Sequence, residues 1–204
     1  VLLSLLVSGV ILTGCVGRGT AQAGWSGVAT GGESVYLGSS AGKLVALNSI
    51  NGFYQWQENL ESASSGGGLG CAGATAAVVY STPVVYGDTV YVGDGGGRLY
   101  AFNVNDRQSK SVALNAKKPG AIIGNPLIAH DTVYVGSTDG NLYAYDAASL
   151  TYQWQYNTGG EIWASPAEWE NSVFVASFDK KLYSIDATTG QPNWNKPFET
   201  NGPI

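Results

Sequence analysis

The sequence has no methionine, one histidine and two cysteines among its 204 residues, and only 12% of it is charged. Each scarcity excludes something. A single histidine, His130, with no Cys, His or carboxylate cluster around it does not make a metal site. It falls in a predicted hairpin turn and reads as a solvated residue. Two cysteines, Cys15 and Cys71, are too few for a disulfide framework. Lys and Arg never run beyond two adjacent residues, and the net charge is -5, so a nucleic-acid partner has no electrostatic support. No Gly-x-Ser-x-Gly elbow occurs. The nearest candidate for a phosphate loop, Asp94-Gly95-Gly96-Gly97, joins two predicted strands, whereas such a loop leads from a strand into a helix. Asp139 and Asp179 share one turn position in neighbouring units and read as solvated. No catalytic residue and no metal ligand is assigned. What is plentiful is glycine (29), tyrosine (12) and tryptophan (6). That composition suits an all-β protein with many tight turns.

The first twelve residues, VLLSLLVSGVIL, are apolar and uncharged. A membrane-spanning helix needs roughly 20 such residues, whereas this length fits the apolar core of a secretion signal. Leu12-Thr13-Gly14-Cys15 follows and resembles the lipobox of bacterial lipoproteins. The resemblance implies cleavage before Cys15 and acylation of its thiol. Residues 1–14 are then a signal peptide, and 15–24 a lipidated cysteine and flexible tether. Val16 after the cysteine resembles outer-membrane sorting in two-membrane bacteria. With Cys15 acylated, Cys71 has no partner. It lies in a run of small residues and reads as a buried, inert thiol, with a reactive or intermolecularly paired thiol as the alternative. Without methionine the first residue is not an initiator, and the chain is read as cut at both ends.

Four gapless copies of one pattern run through the rest: VYLGSSAGKLVALN at 35–48, VYVGDGGGRLYAFN at 90–103, VYVGSTDGNLYAYD at 133–146 and VFVASFDKKLYSID at 173–186. The last three parse alike. An apolar segment starting at Pro83, Pro126 or Pro166 precedes a polar two-residue turn. Two strands joined by a Gly/Asp/Lys-rich turn follow, and a fourth strand is clearest at Tyr152-Gln153-Trp154-Gln155. Four antiparallel strands in about 40 residues is the size of a propeller blade. Apolar residues on both faces of each strand fit sheets that stack face to face. Gly38, Gly93 and Gly136 close the second strand, where a positive φ or a close approach is expected. Residues 60–79 read as an inserted loop, and 201–204 as the start of a fifth unit comparable with 164–167.

Asp186-Ala187-Thr188-Thr189-Gly190 followed by Trp194 resembles the pyrroloquinoline-quinone-type (PQQ-like) propeller repeat. Asp146 to Trp154 matches in part, Asn48 to Trp56 keeps Gly52 and the Trp, and Asn103 to Ser111 has lost the Trp. The resemblance covers 25–204 and implies a seven- or eight-bladed ring of which about four blades are present. It also implies that Trp56, Trp154 and Trp194 dock onto the next blade. Trp163 and Tyr80 are candidates to line the channel.

That repeat serves two classes of protein. Quinoprotein dehydrogenases hold PQQ and Ca²⁺ and use adjacent cysteines, which this sequence lacks. Non-catalytic lipoproteins similar to the outer-membrane assembly scaffold bind protein segments through blade-face loops. The expectation is the second: a lipid-anchored, extracytoplasmic module tethered to a bacterial membrane through Cys15, without cofactor, whose partners are envelope or outer-membrane proteins. A quinoprotein dehydrogenase whose catalytic residues lie in other blades is the first alternative, and a sugar- or polymer-sensing domain the second.

Overall fold

The computed structural model describes residues 26–60, 78–114 and 120–202. These residues form four four-stranded antiparallel sheets, each with its strands paired in chain order. Blade 1 comprises β1 (Val28–Gly31), β2 (Ser34–Gly38), β3 (Lys43–Asn48) and β4 (Tyr54–Asn59). Blade 2 comprises β5 (Val84–Tyr86), β6 (Thr89–Gly93), β7 (Arg98–Asn103) and β8 (Ser109–Ala113). Blade 3 comprises β9 (Leu127–Ala129), β10 (Thr132–Gly136), β11 (Asn141–Asp146) and β12 (Tyr152–Asn157). Blade 4 comprises β13 (Ala167–Trp169), β14 (Ser172–Ser177), β15 (Lys181–Asp186) and β16 (Phe198–Glu199). The first strands of neighbouring blades lie side by side, which places them innermost. This is the four-bladed propeller arc expected from the repeats.

No blade has a core of its own; the cores lie between blades. Val90 and Val92 of β6 join the cluster shared with blade 1, while Tyr91 between them joins the cluster shared with blade 3. Val133 and Val135 pack toward blade 2, and Tyr134 toward blade 4. The Val-Tyr-Val signature is thus a two-faced strand, whose alternate residues serve two different seams. In β14, Val173 and Val175 are buried, but Phe174, facing away from blade 3, is only half-buried.

The linkers are held by a repeated bond set. The amides of Val79, Ile122 and Ile162 donate to the carbonyls of Ser39, Asp94 and Ser137 in the preceding blade. Each of these aliphatic side chains is fully buried, and each sits on the glycine that ends the preceding blade's second strand. A Cβ added at Gly38, Gly93 or Gly136 would lie 2.2–2.3 Å from Val79, Ile122 or Ile162. Close approach is therefore the reason for glycine there. None of the three has a positive φ, which corrects that half of the expectation.

Two further boundaries move. The Leu60 amide donates to the Gly42 carbonyl as Leu114 does to Gly97 and Thr158 to Gly140. Leu60 and Val79 therefore belong to the repeat, and the inserted segment is confined to residues outside the described set. The Thr200 amide likewise donates to the Lys180 carbonyl. Asn201 and Gly202 thus take the places of Gly159 and Gly160, not of Ala164 and Ser165. Blade 4 also departs from the others in its outer strand. Pro192 pairs with Ile185 and Phe198 with Leu182, but the residues between do not continue the ladder. Pro197, just before β16, has no amide to give.

Candidate functional site

In blades 2, 3 and 4 the turn after the third strand receives a side chain from the blade before. Residues 52, 107, 150 and 190 all have φ between 56° and 71°, and each donates its amide to the carbonyl four residues back. Gly190 of blade 4 receives Trp154. An added Cβ there would come within 2.7 Å of the indole, and Trp154 Nε1 donates to the Ala187 carbonyl at 3.1 Å. Tyr134 O–H donates to the same carbonyl, with its ring 5.6 Å from Trp154. In blade 2 the turn carries Arg107 instead of glycine, and its guanidinium lies 4.3 Å over the Trp56 ring, a cation–π contact. In blade 2 the strand pairing puts Lys110 opposite Ala101, where Trp56 stands opposite Ala46 and Trp154 opposite Ala144, and Lys110 Nζ donates to the Ala148 carbonyl in the turn of blade 3 at 2.6 Å. The seam blade 2 shares with blade 3 is filled by Leu150, which is buried in the cluster containing Tyr91 and Ile122. Trp194 is 39% exposed and touches Phe174 of its own blade at 5.9 Å.

A second repeated device closes the turn between second and third strands. Tyr100, Tyr143 and Tyr183 donate their hydroxyls to Asp94, Asp139 and Asp179 at 3.0, 2.5 and 2.5 Å. Asp139 and Asp179 are therefore anchored rather than merely solvated. In blade 2 the acid has moved to the first turn position while the tyrosine has stayed. In blade 1 both are gone, as Ala41 and Val45. Asp94 is the most deeply buried of the three. Burial raises its carboxyl above the ordinary value, against the amides of Arg98 and Gly96 and the Tyr100 hydroxyl, which favour the anion. The folded state then holds this proton more tightly than the unfolded chain. The associated stability is full below the ordinary carboxylate value and is lost as pH rises through the raised one. Asp94→Asn should therefore gain on the wild type as pH rises above the ordinary carboxylate value, read as the difference in urea midpoints. A difference that stays constant with pH would refute the assignment.

The inner linkers present the molecule's unrepeated side chains. Tyr80, Ile123 and Trp163 occupy one equivalent position, three residues before Pro83, Pro126 and Pro166. The preceding carbonyls of Val78, Ala121 and Glu161 accept from the amides of Gly95, Thr138 and Phe178, which sets each linker beside its own blade's turn. Tyr80 lies against Gly95, where an added Cβ would come within 2.9 Å of the ring. Trp163 lies edge-on to Phe178, with ring centroids 5.1 Å apart and planes at 80°, and its Nε1 donates to Glu161 Oε2 at 2.7 Å. Trp163 is 45% exposed. A polar handle fixes one edge of the indole, a ring fixes another, and the remaining face is free. Such amphipathic anchors suit protein recognition.

Cys15, Cys71, the signal segment 1–14 and the tether 15–24 lie outside the described residues. Among the described residues, no three His, Cys, Asp or Glu side chains are grouped to hold a metal ion, and no helix is long and apolar enough to cross a membrane.

Comparison with known proteins follows this geometry. The profile of a family described as outer membrane protein assembly factor BamB matches residues 17–156. No curated protein matches. Solved structures do. BamB from Moraxella catarrhalis superposes with a TM-score of 0.67 at 16% identity, over 87% of this chain and 52% of that one. A quinohemoprotein alcohol dehydrogenase, ADHIIG from Pseudomonas putida HK5, gives 0.71 at 20% identity, over 86% and 34%. The computationally designed Ika8 protein gives 0.68 at 12% identity, over 87% and 50%. The chain thus spans about half or less of each of these three structures, and at these identities the likeness is one of fold.

Proposed function

The chain belongs to the BamB family of outer membrane protein assembly factors, and from that premise we propose that it is an extracytoplasmic, membrane-tethered propeller that binds other envelope proteins rather than transforming a substrate. The observation that carries the reading is the Trp163–Phe178 pair. An indole held by Glu161 at one edge leaves its apolar face to solvent on a rigid blade. Rigid aromatic anchors of this kind dominate protein interfaces because they bury much area while losing little side-chain entropy. The partner is a component of outer-membrane protein assembly.

The test is capture from detergent-solubilised membranes. The full-length protein should recover an outer-membrane assembly protein, and a Trp163→Ala/Phe178→Ala variant should lose it. Both residues are exposed, so stability should change by no more than about 1 kcal/mol. Consistently empty captures would overturn the reading. Quinone absorbance or dye-linked alcohol oxidation by the same preparation would replace it with an oxidoreductase.

The tether is Cys15, from the lipobox-like Leu12-Thr13-Gly14-Cys15. Labelled fatty acid should attach to the full-length protein, and Cys15→Ser should abolish labelling. A serine variant that stays equally labelled would remove the anchor from the proposal.

A further inference from the structure

The end of the arc opposite Trp163 carries a different surface. There the first strand of each blade turns back through a two-residue hairpin. Blades 1 and 2 place glycine first, Gly32 and Gly87, with φ of 57° and 56°. Blades 3 and 4 place His130-Asp131 and Glu170-Asn171 in these turns, and all four residues have φ between 47° and 64°. For a side chain such as Glu this left-handed geometry costs about 1 kcal/mol relative to glycine. The strain sets polar side chains at the inner rim.

The rim is continuous across three blades. Tyr86 O–H donates to Asp131 Oδ1 at 3.1 Å, and His130 Nε2 lies 3.2 Å from Glu168 Oε1. Trp169 follows Glu168 and is 68% exposed; Tyr86 is 45% exposed. Asp131, Glu168 and Glu170 supply three negative charges here. The one basic side chain in these hairpins, His130, is already engaged by Glu168. At the Trp163 end Glu161 and Asp179 are accompanied by Lys180 and Lys181, and Lys181 Nζ lies 3.9 Å from Asp179 Oδ2.

We propose that this rim, from Tyr86 to Glu170, docks an extended, cationic segment of a partner protein, with an apolar side chain laid on Trp169 and Lys or Arg residues on Glu168, Glu170 and Asp131. Charge complementarity names the partner's sign, and the unpartnered indole supplies the anchor. The site is independent of the Trp163 face. A molecule with both can hold two segments at opposite ends.

The test uses the full chain and a fluorescent peptide of alternating Lys and Leu, read by anisotropy. The peptide should bind with an affinity that falls as salt rises. Trp169→Ala and Glu168→Gln/Glu170→Gln should each weaken it by about ten-fold or more, while Glu58→Gln/Glu199→Gln at the other end should not. A Glu-Leu peptide should not bind, and a Lys-Ser peptide should bind far more weakly. Absence of binding, equal loss in the Glu58/Glu199 variant, or equal binding of the Lys-Ser peptide would each overturn the proposal. None of these outcomes bears on membrane capture through Trp163, so failure here and failure there are separable.

Discussion

Trp154→Ala is expected to destabilise the protein by about 3–5 kcal/mol, the usual cost of truncating a buried aromatic. The indole is only 8% exposed and lies between two sheets that cannot collapse into its space. On one side stand Tyr134 and the rest of blade 3; on the other, the backbone of residues 187–190 in blade 4. The Ala187 carbonyl would lose the indole donor and keep the Tyr134 hydroxyl. Most of the loss is therefore packing. Trp154→Phe should accordingly cost much less, a ring edge and one hydrogen bond of about 1 kcal/mol. In a stacked array each unit contacts only its neighbours, so damage should stay local. Amide exchange should quicken in β13 to β15 while β6 and β7 keep their protection. Trp194→Ala, at a 39% exposed position, should cost about 1 kcal/mol or less. Equal losses for Trp154 and Trp194, or exchange that quickens uniformly, would refute the seam as the seat of the energy.

The contrast between those two tryptophans also shows what the sequence conveyed. Blade number, strand order and the two-faced strands follow from a pattern four times repeated, because every blade solves the same packing problem. The docking turn was visible where it keeps Asp-Ala-x-Thr-Gly. It was hidden where Arg107 takes the glycine position and covers Trp56, since a left-handed arginine leaves no glycine to read. Lys110 in the Trp place, beside Leu150 of the facing turn, was hidden because counting from Asn103 points to Ser111, whereas blade 2 lacks the bulge of blades 1 and 3 and its pairing brings Lys110 opposite Ala101. Asp94 was read only as part of a Gly-rich turn because its carboxylate reaches the repeated tyrosine position from another place in the turn. The rim of His130, Asp131 and Glu170 was read as solvent-facing turn, since chain order separates Tyr86 from Asp131 and His130 from Glu168. The linker aliphatics Val79, Ile122 and Ile162 carried no visible signal. Each acts on a glycine 26 to 41 residues earlier, and their immediate neighbours share little.

That glycine–aliphatic contact yields the second large effect. Gly136→Ala should destabilise by about 1–3 kcal/mol, as overpacking does. The new Cβ would stand 2.2 Å from Ile162 Cγ2, and Ile162 has nowhere to go. Its side chain is wholly buried and its amide is fixed to the Ser137 carbonyl at 3.1 Å. The φ of Gly136 is not positive, so the penalty is steric and not conformational. Ile162→Ala alone should cost about 2–5 kcal/mol through the cavity it leaves. In the double variant the added methyl enters space the isoleucine has vacated. The combined loss should fall short of the sum by about 0.5–3 kcal/mol, the range for side chains in direct contact. Urea midpoints of the four proteins measure it. Additive losses would mean that the glycine is not kept for the isoleucine, and that the blades are spaced by something else. Gly93 with Ile122 and Gly38 with Val79 share the geometry, so the coupling should recur with the same sign at each seam, larger for isoleucine than for the smaller valine.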